Sequence, residues 1–99
     1  MPTRFDMILG DLNKEISRAE DLHGPIPGDR LRALAILMEE VGEAAEAVLD
    51  LGRPVPGSPD RPTSRECPSR QKQIEHLYEE VVQLTAVGMR WLERIREDM

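Results

Sequence analysis

Cysteine is nearly absent from this chain: Cys67 is the single one among 99 residues. One thiol excludes an internal disulfide and any zinc site built from paired cysteines. Aromatics are scarce, with only Phe5, Tyr78 and Trp91. Long apolar runs are missing too. The longest uncharged stretch, Val81–Met89, has nine residues, half of the ~18 that a membrane-crossing helix needs. No membrane span is therefore expected. Arg4, Asp6 and Asp11 stand where a secretory leader would be apolar, so no signal peptide is expected and a cytoplasmic setting is the default. Basic residues are outnumbered 13 to 19, for a formal net charge of -6. An acidic chain repels phosphate backbones, which argues against a nucleic-acid polymer as partner.

What is present is one small domain rich in charge. Charged residues make up 32% and hydrophobic ones 39%, against soluble-domain averages of roughly 25% and ~45–50%. A chain of this size buries only about two-thirds of the surface it exposes when unfolded. Self-association, as a homodimer or homotetramer, is expected to enlarge the core.

Three helical segments are readable. In the first, from about Phe5 to Leu22, apolar residues recur every three or four positions at Phe5, Ile8, Leu9, Leu12, Ile16 and Ala19, a helix period. Thr3 is a candidate cap, and Gly24-Pro25 and Pro27-Gly28 end the segment. The second starts at Asp29, a favourable N-cap, and runs to Leu51 before Gly52. Its apolar arc holds Leu31, Leu34, Leu37, Met38, Val41, Ala45, Val48 and Leu49, too wide for one partner helix. The core stripe is expected to centre on Val41 and Val48. The third segment starts after Pro68, with Ser69 as cap, and reaches about Glu97. Ile74, Leu77, Val81, Leu84, Gly88, Trp91 and Ile95 form its stripe. Residues 52–69 hold five of the eight prolines and read as a loop without secondary structure of its own. The expected fold is all-α: a bundle of three main helices completed by oligomerisation into a four-helix-bundle-like core, with Trp91 and Tyr78 in the core or a subunit interface.

The chemistry is carried by acidic rows. Between Arg32 and Arg53 there are five acidic residues and no basic one. Glu40 and Glu43, three apart, project from one side of a helix. Their row is Ile36, Glu40, Glu43, Ala47, so apolar residues bracket the acids. On the third helix the corresponding row is His76, Glu80, Gln83, Val87. If the two helices pack side by side, Glu40, Glu43 and Glu80 face one another across the seam. Converging carboxylates without a cationic partner make a site for a hard divalent cation. Acidic residues at this spacing also occur on solvated helix faces, and Glu75 and Glu79 read that way.

The run Ile36-Leu37-Met38-Glu39-Glu40-Val41-Gly42-Glu43-Ala44-Ala45-Glu46-Ala47-Val48, preceded by Leu22-His23-Gly24, resembles the MazG-like proteins of the all-α nucleoside triphosphate pyrophosphohydrolase superfamily. The later run His76-Leu77-Tyr78-Glu79-Glu80-Val81-Val82-Gln83-Leu84 is similar to that family's second acidic helix. The resemblance covers residues 16–51 and 74–92. It implies hydrolysis of a nucleoside triphosphate between the α and β phosphates, giving a monophosphate and pyrophosphate. It also implies Mg2+, with Mn2+ as the alternative, held by an ExxE pair at Glu40 and Glu43, with Glu39 as acidic neighbour, and by an ExxD pair at Glu80 and Gln83. Gln83 departs from the family's aspartate. An amide oxygen can coordinate a cation but brings no charge and cannot serve as a base. The expectation is thus either a weak enzyme or a relative that keeps the fold without the reaction. Glu39 or Glu43 would deprotonate the attacking water.

Four cationic side chains are candidates for the substrate side: Lys14, Arg18, His23 and His76. Each has a plainer reading. Lys14 and Arg18 are flanked by Asp11, Glu15 and Asp21 as surface ion-pair partners. His23 suits a helix C-terminus, and His76 suits a helix surface. Cys67, beside Pro68 with no base near it, reads as incidental.

Overall fold

The computed structural model describes residues 1–52 and 69–99. Three helices follow one another: α1 (Arg4–His23), α2 (Arg30–Gly52) and α3 (Arg70–Glu97), with no strand among the described residues. The Pro-rich segment and Cys67 lie outside them.

The helix starts are where the side chains dictate. Thr3 and Asp6 form a reciprocal capping box, Asp6 N donating to Thr3 Oγ1 at 3.1 Å and Thr3 N to Asp6 Oδ2 at 3.0 Å. Asp29 Oδ1 accepts from Leu31 N at 2.9 Å, and Ser69 Oγ accepts from Lys72 N at 3.2 Å. α1 ends at Gly24, whose φ of 71° is open to a residue without Cβ. Its N–H closes the helix on Glu20 O at 2.8 Å.

α3 is the central element. α2 packs along one flank and α1 along another, while α1 and α2 do not pack on each other. Arg70 at the start of α3 donates to Leu51 O at the end of α2. At the opposite end, Ile26 of the α1–α2 linker is buried with Ala33 of α2 and Val87 of α3, and Ile36, Leu37 and Trp91 pack around them. α2 and α3 therefore run antiparallel.

The packed face differs from the expected one. The α2 residues turned toward α3 are Ala33, Ile36, Leu37, Glu40, Ala44 and Ala47, all buried or half-buried. Val41 and Val48, the expected core centre, are exposed, as are Leu31 at 76%, Leu34, Met38 and Leu49. On α3 the packed residues are Gln73, Leu77, Glu80, Val87 and Trp91, whereas Ile74, Val81 and Ile95 of the expected stripe are exposed. On both helices the exposed apolar row follows the packed row by one residue, a rotation of about 100°. Small side chains at Ala33, Ala44 and Ala47 let the two helices approach closely.

Candidate metal centre

Glu40 and Glu80 belong to the packed rows, so the close approach of α2 and α3 drives their carboxylates together. Glu43, one turn along α2, completes the group: one oxygen from each of Glu40, Glu43 and Glu80 lies within 4.8 Å of the others. Oε2 of Glu40 and Oε2 of Glu80 are buried and have no hydrogen-bond partner. The Glu80 side chain is only 12% exposed, and its neighbour of opposite character is His76 Nε2, 3.7 Å from Oε1. Among the described residues no lysine or arginine comes within ion-pairing distance of the three acids.

The electrostatics follow. Burial, then the charge and hydrogen bond of Glu43, then the charges of Glu80 and Glu15, push the Glu40 carboxyl up to about 7. Glu80 is also raised, by burial first and Glu43 second, with His76 working against the shift. Two buried oxygens without donors and mutually repelling charges leave electron pairs that a cation would satisfy. The donor set, all oxygen, suits Mg2+ or Mn2+ rather than a softer ion.

Of the three acids, Glu40 lines a cleft of ≈ 440 Å³ walled by all three helices. Because α1 and α2 do not meet, the cleft lies between them with α3 as its floor. Glu39 and Glu40 line the α2 wall, Gln83 and Arg90 the floor, and Arg18 and His23 the α1 wall. The linker residues Pro25, Ile26 and Pro27 close one end.

The candidates separate accordingly. Glu40, Glu43 and Glu80 converge, and Glu39 and Gln83 line the cleft together with Glu40. Arg18 faces Glu40 closely enough to feel its charge, but its guanidinium is held by Glu15 in a two-pronged pair at 2.6 and 2.8 Å. That pair holds the Glu15 carboxyl below the usual range. His23 lines the cleft and His76 sits on Glu80. Lys14 lies elsewhere, in a shallower groove between α1 and α3 beside Tyr78, whose hydroxyl donates to Asp11 Oδ2 at 2.6 Å.

Two residues escape the sequence reading. Glu15 acts on Glu40 across the cleft, a relation that only the α1–α3 packing creates. Arg90 is buried at 8% exposure and lines the cleft floor. A signal for it exists: continuing the row Glu80, Gln83, Val87 by three positions reaches Arg90.

Comparison of the chain with protein-family models, with curated proteins and with solved structures finds no match.

Proposed function

We propose that this protein is a divalent-metal-dependent nucleoside triphosphate pyrophosphohydrolase. The observation that carries the reading is the convergence of three carboxylates, two with buried and unpartnered oxygens, one of which, Glu40, lines a cleft large enough for a nucleotide. The resemblance of both acidic runs to the MazG-like proteins points the same way.

Glu40, Glu43 and Glu80 would hold Mg2+, with Gln83 offering an amide oxygen. The bound ion supplies charge neutralisation and polarisation of the phosphate oxygens. Glu39 lines the cleft with Glu40 and Gln83 and stands outside the carboxylate cluster, which suits it to take the proton of the attacking water. The water oxygen bonds to the α-phosphorus, the bond from that phosphorus to the bridging oxygen breaks, and pyrophosphate leaves. Arg18, locked on Glu15, sits opposite Glu40 as a positive charge available to the phosphates.

The reading includes a second copy of the chain. On α2, Leu31, Leu34, Met38, Val41, Ala45 and Val48 are exposed at alternating spacings of three and four. On α3, Ile74, Tyr78, Val81, Thr85, Gly88, Leu92 and Ile95 keep the same alternation, all exposed except the half-buried Gly88. This is the spacing of a helix–helix seam. For antiparallel helices, rows displaced in the same rotational sense from their shared interface lie on one side of the pair. That side is opposite the cleft. Two copies joined there would form a four-helix layer and cover apolar surface that monomers rarely leave open.

The test is pyrophosphate release from a panel of ribo- and deoxyribonucleoside triphosphates, with and without Mg2+. Metal-dependent release that is abolished by Glu43→Gln is expected. No release from folded protein overturns the enzymatic reading. Gln83 favours a second one, a helical binding module that keeps the acidic site without turnover, and gain of Mg2+-dependent release in Gln83→Asp identifies it.

A further inference from the structure

The cleft has a second polar end, and one residue dominates it. Arg90 is buried, lines the cleft floor and has no carboxylate within 4 Å among the described residues. Its Nη2 donates to Gly24 O at 2.6 Å, which fixes the guanidinium against the end of α1. Its Nε is buried and unpartnered. A guanidinium offers five N–H donors and no acceptor; Glu15 feels the Arg90 charge but lies beyond ion-pairing distance, and burying such a group without full hydrogen bonding is costly. The native chain thus keeps a positioned, under-satisfied donor group at the floor of a ligand-sized cleft.

Its surroundings are apolar. Ile26, Pro25, Pro27, Ala86 and Val87 wall this end of the cleft, a surface suited to a flat ring and unsuited to phosphate. Along α3, Arg90 lies seven residues beyond Gln83, roughly 10 Å at the helical rise. That separation is of the order of the distance from the phosphate to the base edge of one nucleotide, for a phosphate placed beside Gln83.

We propose that Arg90 is the specificity-determining residue of this cleft, donating to a carbonyl oxygen of the nucleobase. The inference rests on the nucleotide reading of the cleft, though not on turnover. Guanine, uracil, thymine and cytosine each present a carbonyl oxygen, whereas adenine presents only ring nitrogens and an amino group, itself a donor facing a donor. In the DNA major groove arginine reads guanine through its O6 carbonyl and N7. The linker fixes the guanidinium: Gly24 O anchors Nη2, Nε is buried, and Nη1 is the nitrogen left to donate to the ligand.

The experiment is calorimetric titration of the full chain, in the presence of Mg2+, with GMP, UMP, CMP and AMP. Monophosphates need no hydrolysis, so the result stands apart from the activity assay. The three carbonyl-bearing nucleotides are expected to bind on the order of 10-fold more tightly than AMP. Arg90→Lys keeps the positive charge and a donor for Gly24 O but loses the fork. With its helicity and melting temperature unchanged, it should bind all four nucleotides within about twofold of one another. Arg90→Met serves as the second variant, read only against AMP and GMP after its fold is checked. Equal binding of AMP by the native protein, absence of binding by every monophosphate, or an undiminished preference in a folded Arg90→Lys would each overturn the proposal and leave Arg90 as a clamp on the linker. Base preference without pyrophosphate release would instead overturn the enzymatic reading alone.

Discussion

Replacing Glu40 with glutamine is expected to stabilise the metal-free protein while disabling it. Glutamine is nearly isosteric, carries no charge, and its amide can donate to Glu43 or Glu80. Glu40 is pushed from an ordinary 4.5 up to about 7, so the folded state resists its ionisation. That displacement corresponds to ~3 kcal/mol, and solvent screening at this half-buried position reduces it to ~1–2 kcal/mol. The sign follows from proton binding. Between about 4.5 and 7 the folded chain holds a proton that the unfolded chain has released, so stability falls as pH rises through that window. Below it the native protein carries no penalty, and above it the penalty is complete. Glu40→Gln should therefore match the native protein near pH ~5 and exceed it near pH ~8 by ~5–10 °C in melting temperature. Thermal unfolding followed by circular dichroism at both pH values measures the difference. Mg2+ should close the gap by binding only the native carboxylate site. A variant less stable than the native protein at the higher pH, or an equal difference at both, would refute the account of mutual repulsion and burial at this cluster.

Three further outcomes follow. Gln83→Asp should tighten Mg2+ binding at least several-fold, because a charged oxygen replaces a neutral one at the cleft floor; calorimetric titration with Mg2+ reads it, and unchanged affinity would remove Gln83 from the ligand set. Leu34→Glu or Leu92→Glu should convert a dimer to a monomer by light scattering while keeping helicity, since both side chains are exposed in the single chain; a native protein that is itself monomeric at micromolar concentration would refute the seam. Thr3→Ala should cost ~1 kcal/mol by breaking the capping box of α1, measured by urea unfolding.

The helices and their caps are legible in the sequence because they are local matters. Thr3, Asp29 and Ser69 each announce a start, and the α1 stop follows from Gly24 and Pro25. Which row of a helix meets which neighbour is a different question. Hydrophobicity ranks Val41 and Val48 above Ala44 and Ala47, so periodicity selects the apolar seam as the core. Within one chain the close contact belongs to the alanines instead. The wide arc of α2 signals more apolar surface than one partner helix covers; its alanine half packs on α3, and its other half is exposed in the single chain. The action of Glu15 on Glu40 and the burial of Arg90 are not legible in the sequence for a related reason. Both arise from α1 and the 24–29 linker folding over α3, contacts between residues more than sixty positions apart.

The offset of one residue between the two rows also explains why the acids are where they are. A carboxylate on the apolar seam would face large side chains and lie ~100° away from its counterpart on the other helix. On the alanine row it faces the closest approach of the two helices, where the small neighbours cannot shield one acid from the other. Ala44 and Ala47 follow Glu40 at spacings of four and three, so the same short side chains that set the helix separation set the distance between the carboxylates of Glu40 and Glu80. Enlarging that row for better packing would relieve the repulsion and dismantle the centre together. The raised pKa of Glu40 and the small core of the chain are therefore two consequences of one packing choice.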